Sequence, residues 1–447
     1  MLNSRAGPLR SGRFISALVG VLLLGSIGVG CAALGLGQLP AKPQRPSVPA
    51  RAAYVAEDGH VYTVPLAGGD ARRVSQIAGQ VAGEPTAGYE LPSGRWPAWA
   101  PDGSRVAFIR LLVGPSESLH VAQLWTAVPD GTTPQKVWEA TDREPIYLAW
   151  SPDGAAIALL VQSSRDFELI LVDARGVEPP RKLAQGSPFY FAWAADSRSL
   201  LLHVGDLNSG SSTPGLGVLR LGPPDEYRSL GIAPGRFRTP SWTADGRTIA
   251  FVADGPGGVP MLSLVSPQGG DITRLAAVGG QTAFAMTPDG ARIAWSSRSE
   301  TERLAYVGLE VASADGRTRT QVTEDLVVAF FWSPDADRLA FVTVNPSGTA
   351  FVWNVADADG ANARRLGTFT PSSDQLRQLA FFDQYAISHG HWSPDGTALV
   401  YAVSPPGESR APGAADPGTV MAVPVDGSTG PRTVVGGNVV ALPVPAP

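Results

Sequence analysis

The sequence predicts an all-β fold: an eight-bladed β-propeller of four-stranded antiparallel blades, closed by a C-terminal strand. Three observations point there. Close variants of one short motif, "HWSPDG" at His391–Gly396 among them, occur seven times along the 447 residues. Gly (51) and Pro (40) are abundant while Val, Ile, Thr and aromatic residues come in short bursts, the composition of many brief strands joined by tight turns. The two ends of the chain carry strand fragments that are each incomplete alone.

Residues 1–31 read as a targeting segment. Arg5, Arg10 and Arg13 precede the apolar run "FISALVGVLLLGSIGVG", which ends just before Cys31, the single cysteine of the chain. This arrangement resembles the lipobox of bacterial lipoproteins, which implies that Cys31 is lipidated and becomes the first residue. Gly28 stands where that family usually has an aliphatic residue, so ordinary cleavage and an uncleaved membrane anchor are the alternatives. With one thiol, no disulfide forms within the chain, and stability must come from packing. Residues 32–50 are Pro-rich and unpatterned, a tether, and residues 51–447 form the propeller.

The motif appears as "AWAPDGSRVAF" at Trp99, "AWSPDGAAIAL" at Trp150, "AWAADSRSLLL" at Trp193 and "SWTADGRTIAF" at Trp242. It continues as "AMTPDGARIAW" at Met286, "FWSPDADRLAF" at Trp332 and "HWSPDGTALVY" at Trp392. Spacings of 43 to 60 residues suit a unit whose loops vary around a constant core. A second strand pair follows each motif, so each repeat is a four-stranded meander. Asp-Gly suits the first turn if both central residues take positive φ. The Trp side chains are expected to fill the wedge between neighbouring sheets, with the small residue before them, such as Ala98 or Ala149, allowing close approach near the axis.

At the N-terminal end, Ala52–Ser75 has the pattern of strands two, three and four without a strand one. The stretch Asn438–Val444 is a spare strand. Joined, they make an eighth blade and remove the exposed sheet edges. A seven-bladed ring with the N-terminal hairpin docked outside is the alternative.

These repeats resemble the TolB-type β-propeller repeat, a relative of the WD repeat found in periplasmic and surface proteins and in prolyl-oligopeptidase-like enzymes. The resemblance implies a fold and an extracytoplasmic location; it leaves function open, because propellers serve unrelated tasks.

Meander topology puts the Asp-Gly turns on one face and the more variable loops on the other. Three long loops, 76–95, 368–388 and 404–418, flank the closure and mark one sector as the candidate site. In the second, Ser373 or Asp374 is expected to cap a helix with Leu376, Leu379, Ala380 and Tyr385 on one side, lying as a lid across the mouth. Three residues before the Trp position stand Trp96, Tyr147, Tyr190 and His389. Such rings either grip a sugar or peptide, with Arg95 and Arg238 supplying charge, or plug the channel. Asp383 and Gln384 belong to the same sector.

His389 and His391, at i and i+2 of a strand, point the same way and could share a transition metal. Some oligogalacturonate lyases with this repeat hold a metal through a His-x-His pair, and that resemblance aligns only His389. The other reading is a pair of hydrogen-bonded interblade histidines. No Gly-x-Ser-x-Gly elbow, Walker loop or His-Glu-x-x-His motif is present, so a catalytic role is open but unsupported by a nucleophile. The net charge of -5, without a basic cluster beyond the first positions, shows no nucleic-acid footprint. The expected partners are an envelope protein, peptide or glycan, and the membrane through the N-terminal segment; no cofactor is expected. The alternative is a metal-assisted polysaccharide lyase or hydrolase using His389 and His391.

Overall fold

A computed structural model describes residues 50–443, apart from 76–88, 91–96, 114–119, 142, 164–165, 206–214, 235–238, 244, 280, 299–304, 386–387, 405–417 and 439. The expected signal and most of the tether lie outside the described residues. The remainder is built of antiparallel meanders.

In the third sheet, Glu144–Trp150, Ala156–Gln162, Phe167–Asp173 and Arg181–Gly186 pair in chain order. The fourth and fifth, beginning at Phe189–Trp193 and Ser241–Trp242, repeat the pattern. Inner strands are apolar on both faces, as in Ala156–Gln162 with five consecutive buried residues, because each sheet is sandwiched between neighbours. Outer strands such as Glu226–Ile232 are mostly exposed. Thr282–Met286 through Arg364–Phe369 form one sheet of seven strands. Within it, the 14-residue strand Arg319–Trp332 pairs with Tyr306–Ser313 in its first part and with Arg338–Val344 in its second. It is thus the outer strand of one repeat and the inner strand of the next, with no loop between.

The turns after each Trp correct the expected turn geometry. Gly103, Gly154, Gly246, Gly290 and Gly396 have positive φ, but the Asp before each does not. The Asp is there as an acceptor: Asp102, Asp153, Asp289 and Asp395 each take the amide of the residue two places on, at 2.9–3.0 Å. The hydroxyl at the start of the turn adds a further bond, as where Ser151 donates to Asp153 at 2.6 Å and accepts the Ala156 amide at 2.9 Å.

Neighbouring sheets are bonded as well as packed. Trp150 Nε1 donates to Ala98 O at 3.0 Å, Trp193 to Ala149 O at 3.1 Å and Trp242 to Ala192 O at 3.3 Å. Trp332 reaches Ala285 O and Trp392 reaches Phe331 O, both at 2.9 Å. In five of the repeats the residue before the Trp or Met position, Ala98, Ala149, Ala192, Ala285 or Phe331, supplies a carbonyl to the next indole, so its backbone matters as well as its size. Farther out, Thr63 donates to Pro129 O at 2.6 Å, Thr126 to Ala174 O at 2.9 Å, and Arg228 and Arg364 to Pro267 O and Val425 O. At Gly131 (φ +84°) a Cβ would lie 2.0 Å from Arg73 O, so only glycine permits that approach of the first two sheets.

The ends meet as the sequence predicts. Arg51–Val55, Val61–Pro65 and Arg72–Arg73 pair in order, and Val440–Ala441 adds a fourth strand through Ala53↔Ala441 and Tyr54↔Val440. The closing strand is shorter than the expected 438–444. Trp99 Nε1 donates to Ala441 O at 3.1 Å, and Arg432 donates to Leu66 O at 2.5 Å, so the junction carries both the inner and the outer bond.

Candidate functional site

The insertion after strand Arg364–Phe369 enters the ring on the loop-bearing face. Pro371 bridges Val403, and Ser372 N–H donates to Ala402 O at 3.2 Å, so the chain first runs along the edge of strand Ala398–Val403. Helix α1, Ser373–Ala380, then begins. Its cap is Ser372, one place earlier than expected, whose side chain accepts the Gln375 amide at 3.2 Å. The buried face consists of Gln375, Gln378 and Leu379, while Leu376 is 43% exposed. The expected apolar side is therefore right at Leu379, which joins the hydrophobic core, and wrong at Leu376, because the helix turns Gln375 and Gln378 inward beside Leu379.

Hydrogen bonds explain the glutamines. Gln375 Oε1 accepts Ala402 N–H at 2.9 Å, standing in for a strand carbonyl between His391 O, which takes the Val400 amide, and Thr370 O, which takes the Ser404 amide. Its amide nitrogen lies 3.2 Å from His391 Nε2 and 3.4 Å from Gln378 Oε1. His391 Nδ1 is 2.9 Å from Val400 O, which can only accept, so Nδ1 carries the proton and Nε2 accepts from Gln375. Phe331 and Trp353 pack around the same imidazole, with centroids at 4.8 and 5.5 Å.

Helix α2, Phe382–Tyr385, packs on the inner strands Thr282–Met286 and Arg319–Trp332. Phe382 is 1% exposed and meets Phe330, Phe331 and Tyr306 edge-on, at 4.7–6.0 Å. Ser388 is hydrogen-bonded to the Tyr147 hydroxyl and lies 2.8 Å from His389 Nδ1, while His389 reaches the carbonyl of Pro97. The described residues of 371–391 thus touch Ala398–Val403, Thr282–Met286 and Arg319–Trp332 as well as Tyr147 and Pro97. They form a plug seated in the mouth, not a lid laid over it.

Burial pushes the His391 pKa down to about 4. Burial does the same to His389, also to about 4, with the neighbouring His391 adding to the effect. Burial raises the Tyr147 hydroxyl to about 12. The two histidines are therefore neutral above mildly acidic pH and engaged with protein groups.

Of the other residues nominated from sequence, Tyr190 is buried with its ring tilted 5.4 Å from that of His203, and Asp383 is half-buried on α2. Arg95, Trp96, Arg238 and Cys31 lie outside the described residues, as does the side chain of Gln384. Sequence reasoning missed Gln375 and Gln378. A usable signal was present: Gln375 and Gln378 stand at i and i+3, which a helix places on one face with Leu379.

Two other places bring reactive groups together. Ser75 Oγ lies 3.1 Å from His60 Nδ1, but the Arg73 guanidinium donates to Nε2 at 2.6 Å, so Nδ1 holds the proton and cannot take one from Ser75. A cleft of about 450 Å³ on the Asp-Gly face lies between the fourth and fifth sheets, lined by Asp196, Arg220, Glu226, Arg228, Trp242 and Asp245. Its turn aspartates are bound to turn amides. Among the described residues no group of three or more His, Cys, Asp or Glu side chains is placed to hold a metal, and no helix is long and apolar enough to cross a membrane.

No protein-family model and no curated protein sequence matches the chain. Solved structures do. A structure from a study of two prolyl endopeptidases is similar at 12% identity with a TM-score of 0.53, over 80% of this chain and 50% of that one. The fold is a β-propeller. TolB from Acinetobacter baumannii is similar at 17% identity over 67% of this chain and 74% of its own, with a TM-score of 0.41. An oligogalacturonate lyase from Vibrio parahaemolyticus matches at 12% identity over 74% and 85%, with a TM-score of 0.47. Identities this low speak to fold alone.

Proposed function

We propose that the chain is an extracytoplasmic, eight-bladed propeller, tethered to the envelope through Cys31, that binds an envelope protein, peptide or glycan on its loop-bearing face. The blade number follows from dividing the seven-stranded sheet at Val327 and counting the closure sheet as one. The observation that carries the binding reading is the exposed apolar pair on the inserted helix. The insertion seats α1 through Gln375, Gln378 and Leu379 and turns Leu376 (43% exposed) and Phe381 (50% exposed) outward. Large apolar side chains held out on an anchored helix favour contact with a partner. The test is capture of envelope components by the full chain and by a Leu376→Ala, Phe381→Ala variant of equal stability. Reduced recovery with the variant supports the reading, and equal recovery removes this face from the interaction.

A second reading is a metal-assisted polysaccharide lyase or hydrolase. It is favoured by the nearness of His389 and His391, since imidazoles are metal-ligand types. To bind a metal, His391 Nε2 must give up its bond to Gln375. Stoichiometric metal in the purified protein, lost in His389→Ala plus His391→Ala, would replace the first reading with this one.

A further inference from the structure

The plug and the ring closure meet at Asn438. Its backbone N–H donates to Val55 O at 2.9 Å, on the first sheet. Its carbonyl accepts from Ser372 Oγ at 2.7 Å, and its side-chain Nδ2 donates to Asp374 Oδ2 at 3.3 Å. Ser372 is fully buried and caps α1 with the same hydroxyl, one lone pair taking the Gln375 amide while the proton goes to Asn438. Two residues later come Val440 and Ala441, the pair that closes the ring, and Ala441 O is the acceptor for Trp99.

We propose that seating of the plug and pairing of the closing strand form a single coupled switch. The start of α1 is held by the lead-in to the closing strand, and that lead-in is held by the start of α1. Among the described residues the closing strand makes two residue pairs, and the Ser372 and Asp374 bonds add to what fixes its lead-in. Opening the mouth therefore loosens the ring at Val440–Ala441, and loosening the ring frees the plug. By linkage the coupling runs equally in both directions. It holds whether the mouth binds a partner, a glycan or nothing.

The test is hydrogen exchange on the full-length protein with two substitutions made at opposite ends of the path. Ser372→Ala removes the hydroxyl at the plug. Trp99→Phe removes the indole donor to Ala441, on the far side of the closing strand. Coupling predicts that Ser372→Ala speeds exchange of the Ala53–Val55 and Val440–Ala441 amides, and that Trp99→Phe speeds exchange of Gln375–Ala380, each by about fivefold, the factor for one net hydrogen bond. Strand Ala156–Gln162 should be unchanged in both. Faster exchange confined to the neighbourhood of each substitution would overturn the proposal. Should Trp99→Phe fail to fold, Ser372→Ala alone decides it, because β-strand amides across the junction are not touched by that side chain.

Discussion

Acid should weaken this fold in a defined window, through His389 and His391. Each has an ordinary pKa near 6.5 when unfolded and about 4 in the plug. Above pH 6.5 both states are neutral and nothing is lost. Between pH 6.5 and 4 the unfolded chain binds protons that the folded chain refuses, so stability falls as pH falls; below 4 the loss is complete. The displacement corresponds to about 3 kcal/mol for each ring, with a steepest slope of about 2.7 kcal/mol per pH unit if both titrate together. Against a usual native stability of roughly 5–15 kcal/mol, that is a large share. The turn aspartates act elsewhere. Asp245 is held below the ordinary carboxylate value by the Thr243 hydroxyl and the Arg247 amide, so its contribution is lost below pH 3.8. Denaturant unfolding at half-unit steps from pH 7.5 to 3.5 measures the slope for the native chain and for His389→Gln and His391→Gln. Each variant should lose about half of the dependence between 6.5 and 4. A flat profile for the native chain, or a slope unchanged in both variants, refutes the burial of these rings.

Three further outcomes follow from the geometry. Ala336 and Ser197 occupy the turn position of Gly154 with φ of 59° and 55°, so Ala336→Gly should stabilise the fold by about 1 kcal/mol, whereas Gly154→Ala (φ +69°) should cost about as much, both read from thermal unfolding. Gln375→Ala leaves Ala402 N–H buried without its acceptor and should cost about 2–3 kcal/mol, with Gln375→Glu restoring part of the loss; a cost below about 0.5 kcal/mol, measured by denaturant midpoints, would mean the amide is not a surrogate strand. Arg432→Ala removes the outer bond to Leu66 O at the closure and should lower stability by about 1 kcal/mol, with protease nicking near the chain ends rising in parallel.

Much of the fold was legible because a repeat states its constraint seven times. The apolar strand after each Asp-Gly turn and the incomplete fragments at both ends suffice for the ring and its closure. What sequence could not supply was the partner of each group. An indole buried for bulk and one buried for its N–H look alike in one sequence, although Met286, the single non-Trp in the series, fills volume without donating. The turn Asp was credited with a backbone conformation when its carboxylate does the work. At the mouth, helix α1 was predicted with its apolar residues inward. Hydrophobic periodicity has no term for Gln375, whose burial is dictated by an unpaired amide on a strand 27 residues later. The bond from Ser372 to Asn438 spans 66 residues and has no local signature at all.

The central claim is that helix α1 is part of the core of the ring, seated through Gln375, Gln378 and Leu379. Thiol labelling at one buried and one exposed position of α1 tests it most directly, with the native Cys31 changed to Ser. Leu379 is 0% exposed and Leu376 is 43% exposed on the same helix. A seated plug predicts that the thiol of Leu376→Cys reacts at once under native conditions, while that of Leu379→Cys reacts only as fast as the plug unlatches, orders of magnitude slower. Equal labelling rates at the two positions would mean that the helix lies loosely over the mouth and is no part of the core.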